Sequence, residues 1–156
     1  MGVAITMTTV YDVPAKDLID TVAKKLREEK TIVPPEGCSY WRTGVDKEKP
    51  PENRDWWYTR CASVLRKLYI TDAIGVERLR AEYGGNRDRR TKPNRVRKAS
   101  GAIVRRALQQ LEQAGYVTKV RGKGRVLTPK GRSFLDKTSY EVLQNIQENY
   151  PGLKKY

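Results

Sequence analysis

The sequence predicts a mainly α, winged-helix-like domain with a small β-hairpin wing and additional N- and C-terminal helices. Three observations lead there. Apolar residues recur at the 3.6-residue period in several separate stretches. Two short β-prone runs follow the third core helix and flank Arg121-Gly122-Lys123-Gly124, as a hairpin requires. The charge is unevenly placed: Lys plus Arg number 32 against 18 Asp plus Glu, a net of +14. From Met1 to Tyr83 the count is 14 basic to 13 acidic, from Gly84 to Arg132 it is 15 to two, and from Ser133 onward three to three. The excess therefore coincides with the third helix and the hairpin.

The elements follow in order. Residues 1–8 read as a loose N-terminus without the basic start of a signal peptide, and residues 9–156 as one domain. Asp12 and Pro14 open a helix in which Leu18, Val22, Ala23 and Leu26 share a face. Pro34, Pro35, Gly37, Gly44, Pro50 and Pro51 make 31–51 an extended connector, with Tyr40 and Trp41 expected to pin it to the body. A helix is predicted from about Glu52 to Ile70, with Trp57, Cys61, Val64, Leu65 and Leu68 inward. Beside that face lie Trp56, Arg60, Ser63 and Lys67, while Arg66 projects on the opposite side. Gly75 interrupts, and Val76 to Tyr83 forms a short helix ended by Gly84-Gly85. Residues 84–99 read as a basic loop with three readings, an RNA-bound segment, a solvated charge run or a disordered insert, of which ordering on RNA is the one expected. The third core helix, about Ser100 to Ala114, turns Ile103, Val104, Ala107, Leu108, Leu111 and Ala114 inward and stops at Gly115. The wing occupies 116–127. Thr128 caps a last helix, roughly Lys130 to Asn149, which buries Phe134, Val142, Leu143 and Ile146.

Composition narrows the function classes. The chain has no His and only two Cys, Cys38 and Cys61, so the usual four Cys/His zinc ligands cannot be assembled. Neither thiol needs a disulfide partner, which suits a reducing compartment. No apolar run approaches the length of a membrane span. Catalysis finds no Ser/His or Cys/His pairing, and the carboxylates are scattered on exposed helix positions with cationic neighbours. No enzyme activity, cofactor, metal or small-molecule substrate is expected. A charge excess this concentrated repels itself unless a polyanion neutralises it, and nucleic acid is the natural partner.

The candidate binding residues form four groups. On the third helix, Arg105, Arg106 and Gln109 share the outer face, where guanidinium forks suit phosphates or base edges; a merely solvated face usually mixes in acids, and Glu112 is the only one from Gly101 to Tyr116. The wing offers Lys119, Arg121, Lys123 and Arg125, extended by Lys130 and Arg132. Its glycines decide nothing, since any tight hairpin uses them. The basic loop offers Arg87, Arg89, Arg90, Lys92, Arg95, Arg97 and Lys98. The stripe on the long helix, Trp56, Arg60, Arg66 and Lys67, has two readings: Trp56 stacks on a base or packs under the connector, and Arg60 binds RNA or anchors the connector through a carboxylate such as Asp55 or Glu48.

Five blocks in order carry a resemblance: Thr9-Val10-Tyr11-Asp12-Val13-Pro14; Asp55-Trp56-Trp57-Tyr58-Thr59-Arg60 with Ala62-Ser63; Tyr83-Gly84-Gly85; Arg105-Arg106-Ala107-Leu108-Gln109-Gln110-Leu111-Glu112; and Leu127-Thr128-Pro129-Lys130-Gly131. From Thr9 onward the chain resembles the archaeal and eukaryotic small-subunit ribosomal protein S-nineteen-e family, and looks more like an archaeal member. The resemblance implies a winged-helix-like body in the head of the small ribosomal subunit, contact with ribosomal RNA and neighbouring head proteins, and, in eukaryotic members, a part in subunit maturation. By position it assigns Trp56, Arg60, Arg66, Arg105 and Arg106 to the family's important surface. The chain departs from the family at Asp46, where a His is common, and at Gly37-Cys38-Ser39, where a Trp is expected. The resulting expectation is a cytoplasmic ribosomal component, monomeric when free. The alternative from the residues is a winged-helix DNA-binding transcription regulator, which would need a dimer to place two recognition helices one duplex turn apart.

Overall fold

Helix α2 (Trp56–Thr71) organises a computed structural model that describes residues 7–150 and residue 152. Trp57, Cys61, Val64, Leu65 and Leu68 recur at helical spacing on α2 and are all wholly buried. α1 (Ala15–Glu28) packs along α2 and supplies Leu18, Val22 and Leu26 to the same core. α3 (Val76–Glu82) and α4 (Gly101–Gln113) pack on one another, and α4 and α5 (Pro129–Asn149) both reach α2. The inward face of α4 is the one its periodicity predicts, from Ile103 through Ala114. Each fully buried leucine stabilises the fold by about 1.5–3 kcal/mol relative to exposure.

Two small antiparallel sheets complete this mainly α architecture. β4 (Val117–Val120) and β5 (Gly124–Leu127) form the expected hairpin. It gains a third strand, β1 (Ala73–Ile74), which pairs with β5 through Ala73 opposite Val126. Two residues are too few for any periodicity to show in the sequence. Gly124, at φ +101°, is what admits β1: a Cβ there would lie 2.7 Å from the Ile74 carbonyl oxygen. At α5, Thr128 is the N-cap, its hydroxyl accepting from the Gly131 N–H at 3.1 Å.

The basic loop expected at 84–99 is instead a second hairpin, β2 (Gly85–Arg89) with β3 (Lys92–Arg97). It buries almost nothing, and its single large apolar side chain, Val96, is exposed. Its order comes from backbone pairing and a local turn. Arg90 adopts φ +60°, and the Asp88 carboxylate accepts from the Arg90 N–H at 2.8 Å. Hydrophobic alternation, the usual strand signal, has nothing to register in such an element.

Three smaller corrections concern buried faces and ends. α2 begins at Trp56 and not near Glu52, because the Asn53 side chain accepts from the Asp55 N–H at 2.9 Å and holds a turn after the two prolines. Tyr40 is exposed and pins nothing. The connector is held by Ile32, by Cys38 and by half-buried Trp41. In α5 Leu135 is the wholly buried apolar side chain among the described residues, Val142 is buried as expected, and Phe134, Leu143 and Ile146 are only partly covered. Residues 1–6 of the expected loose N-terminus lie outside the described residues, and Met7 is exposed.

Candidate nucleic-acid interface

The chain runs from β3 into α4 and from α4 into β4 through three-residue links, so a basic hairpin stands at each end of α4. A helix of this length spans about 20 Å. Along its outer face Arg105, Arg106 and Gln109 are exposed, as the helical spacing predicts. Arg87, Arg90, Lys92, Arg95, Arg97 and Lys98 are exposed on the first hairpin, and Lys119, Arg121 and Lys123 on the second.

The strand registers set like charges against one another. Arg87 stands directly opposite Arg95, Arg89 opposite Lys92, and Lys119 opposite Arg125. Directly opposed like charges destabilise a two-stranded ribbon by a few tenths to about 1 kcal/mol per pair. Arg125 is half-buried, and its Nε has no hydrogen-bond partner among the described residues. Among the described residues Arg89 reaches only the Pro93 carbonyl, at 3.4 Å.

Other cations are already engaged. Lys98 lies 3.2 Å from the Glu77 carboxylate. Lys130 donates to the Ala114 carbonyl at 2.8 Å, placing its charge at the C-terminus of α4, and covers the Tyr116 ring. Arg132 lies over the Tyr69 ring and 3.7 Å from Asp72. Both carry charge on the same segment while serving the packing of α5.

The stripe on α2 resolves towards packing. Trp56 is 6% exposed, and its indole N–H donates to the Cys38 carbonyl at 3.2 Å. It is therefore not presented for stacking. Arg60 does anchor the connector, but through the backbone: its guanidinium donates to the Thr43 carbonyl at 2.9 Å and lies 4.3 Å from the centre of the Tyr83 ring. Burial pulls its pKa down, opposed by the nearby Tyr83 hydroxyl, which itself shares a 2.7 Å bond with Ser63. No sequence spacing links Arg60 to Thr43 or Tyr83; only the folded connector does. Lys67 pairs with Glu82 at 2.8 Å and lies 5.3 Å from the centre of the Tyr83 ring. Arg66, a third of a turn round α2 from Arg60, is half-buried, and its Nε has no partner among the described residues. Both thiols are buried, and burial raises the pKa of each, that of Cys61 to about 12, which disfavours the thiolate.

Sequence reasoning missed a cleft of about 750 Å³ beside this surface. The connector from Trp41 to Glu48 forms one wall, and Arg60, Arg87, Asp88 and the first turn of α4 form the rest. Arg106 covers the Trp41 ring at 5.3 Å and so joins the cleft to the basic face of α4. Among the described residues no group of His, Cys, Asp and Glu is arranged to hold a metal ion, and no helix is long and apolar enough to cross a membrane.

Fold and surface together define a small, mainly α, strongly basic protein whose cations cluster on two hairpins and the helix between them. Residues 9–145 match the profile of the family described as Ribosomal protein S19e, and the chain belongs to that family. It is 47% identical over 152 residues to the small ribosomal subunit protein eS19 of Aeropyrum pernix, covering 96% of this chain and 99% of that relative. It is 43% identical over 150 residues to the eS19 of Thermoplasma acidophilum, with the same coverage. The eS19G protein of the nematode Ascaris suum is 41% identical over 139 residues, 88% of this chain and 94% of its own.

Proposed function

We propose that this chain is a structural, non-catalytic constituent of the small ribosomal subunit in the cytoplasmic ribosome. It binds ribosomal RNA through a winged-helix-like surface in which β4–β5 is the wing, α4 the central helix and β2–β3 a second arm. The observation that carries the reading is the cross-strand pairing of cations in both hairpins. Such pairs cost stability in the free chain and become favourable when a phosphate lies between them. RNA would be held mainly by its backbone and shape, with few base contacts. The names of the relatives support placement in the small subunit, and offer nothing for a DNA-binding regulator. The same contacts would serve subunit assembly, and the free chain would be a monomer near 17.9 kDa.

The test is the distribution of the native protein across a sucrose gradient of cell lysate. Stoichiometric presence in small subunits and in whole ribosomes, resistant to moderate salt, is expected. Absence from those fractions, with the protein free or on chromosomal material, would overturn the reading. A role in assembly further predicts that depletion leaves small-subunit RNA precursors unprocessed.

A further inference from the structure

The cleft beside α4 differs in chemistry from the basic face around it. Ala99, Ala102, Ile103 and Val45 give it an apolar floor. Asp46, Glu48 and Asp88 also line it. Asp46 pairs with Lys47 at 2.9 Å and Asp88 accepts from the Arg90 N–H at 2.8 Å, which leaves Glu48 and the remaining lone pairs of the three carboxylates as acceptors that would repel a phosphate placed among them. They suit instead the N–H donors on the Watson–Crick edge of a nucleobase. Arg42, Lys47, Arg60 and Arg87 line it as well, the first two and Arg87 exposed at its edge, and Arg106, over the Trp41 ring, continues the cationic surface towards the outer face of α4. Trp41 and Arg60, whose guanidinium lies 4.3 Å from the centre of the Tyr83 ring, also line the cleft and bring planar groups of the kind on which unstacked bases rest. The volume accommodates a nucleoside with room for water, and the hairpin and connector leave its mouth open.

We infer that this cleft receives a single unpaired nucleotide of the bound RNA, its base inside and its flanking phosphates on the cationic rim. The inference rests on the RNA-binding reading above and deepens it. Recognition is then not by shape alone: the protein selects a site where one base is free to leave the stack. An amino-bearing base such as guanine, which offers the carboxylates two adjacent donors, is preferred over uracil.

The test uses the full chain and three RNAs: a continuous duplex, the same duplex with one unpaired guanosine, and the same with one unpaired uridine. Direct binding of each is measured at one salt concentration. The wild type is expected to bind the guanosine-bulged RNA about tenfold or more tighter than the continuous duplex, with uridine between. Ala102→Trp fills the cleft from an exposed position on α4, so folding is retained, and a thermal melt checks this. This variant is expected to bind all three RNAs with the affinity of the wild type for the duplex. Equal wild-type binding of bulged and continuous RNA would overturn the inference while leaving the basic surface intact. Equal weakening of all three RNAs by Ala102→Trp would also overturn it. Failure of the wild type to bind any of them, at low salt, would sink the RNA-binding reading and the inference with it.

Discussion

Neutralising the tip of the β4–β5 hairpin, Arg121→Gln with Lys123→Gln, is expected to reduce the salt dependence of RNA binding by a fixed amount. Both residues are exposed, and neither enters an ion pair among the described residues, so their removal leaves the core alone. Each phosphate neutralised contributes about −0.9 to the slope of log affinity against log salt for a duplex. If β2–β3, α4 and the tip of β4–β5 each reach two phosphates, six contacts give a slope of about −5.4. Raising salt from about 50 to 200 mM then weakens the wild type by about two-thousandfold. Losing two contacts leaves a slope of about −3.6 and a fall of about 150-fold over the same range. The assay is fluorescence anisotropy with a labelled small-subunit RNA fragment, titrated at several salt concentrations. Lys16→Gln with Lys24→Gln is the control, since it removes the same charge from the exposed face of α1. An unchanged slope in the tip variant, or an equal drop in the control, would refute the assignment of the surface. The first result would place the contacts elsewhere, and the second would make net charge, not position, the determinant.

Stability offers further tests. Trp56→Phe keeps most of the buried ring but removes the 3.2 Å indole donor from the Cys38 carbonyl, which still accepts from the Trp41 N–H at 3.3 Å, and is expected to cost about 0.5–1.5 kcal/mol in a denaturant titration. Gly122 and Gly124 both have positive φ, but a Cβ at Gly122 meets open space and one at Gly124 meets the Ile74 backbone. Gly122→Ala should cost about 1–2 kcal/mol, and Gly124→Ala roughly twice that or more with loss of the β1 pairing, read by hydrogen exchange at Ala73 and Ile74. Burial, with a 2.8 Å hydrogen bond to Asp136, raises the Tyr69 hydroxyl to about 12. Its folded pKa lies above the unfolded value near 10, so its stabilisation is complete below about pH 10 and is lost as pH rises towards 12. Tyr69→Phe should lower the melting temperature at neutral pH and flatten its fall across that alkaline window.

The sequence by itself determined the elements whose evidence is periodic or compositional. The inward faces of α2 and α4, the N-cap at Thr128, the β4–β5 hairpin and the exposed Arg105/Arg106/Gln109 face all follow from local spacing, because burial of apolar side chains at a 3.6 or 2-residue period is what forms those elements. The concentration of cations between Gly84 and Arg132 likewise needed no coordinates. Tertiary structure decided whatever depends on partners distant in the chain. β2–β3 has no buried face, so its order is written in backbone pairing and a turn at Arg90, neither of which leaves a hydrophobic pattern. Trp56 and Arg60 look alike in sequence whether they face a nucleic acid or a connector, and only the fold of 31–51 brings the Cys38 and Thr43 carbonyls against them. The opposition of Arg87 to Arg95 and of Lys119 to Arg125 depends on strand register, and the cleft on how four separated segments meet. Local sequence specifies which residues are charged; register and packing specify which charges face one another.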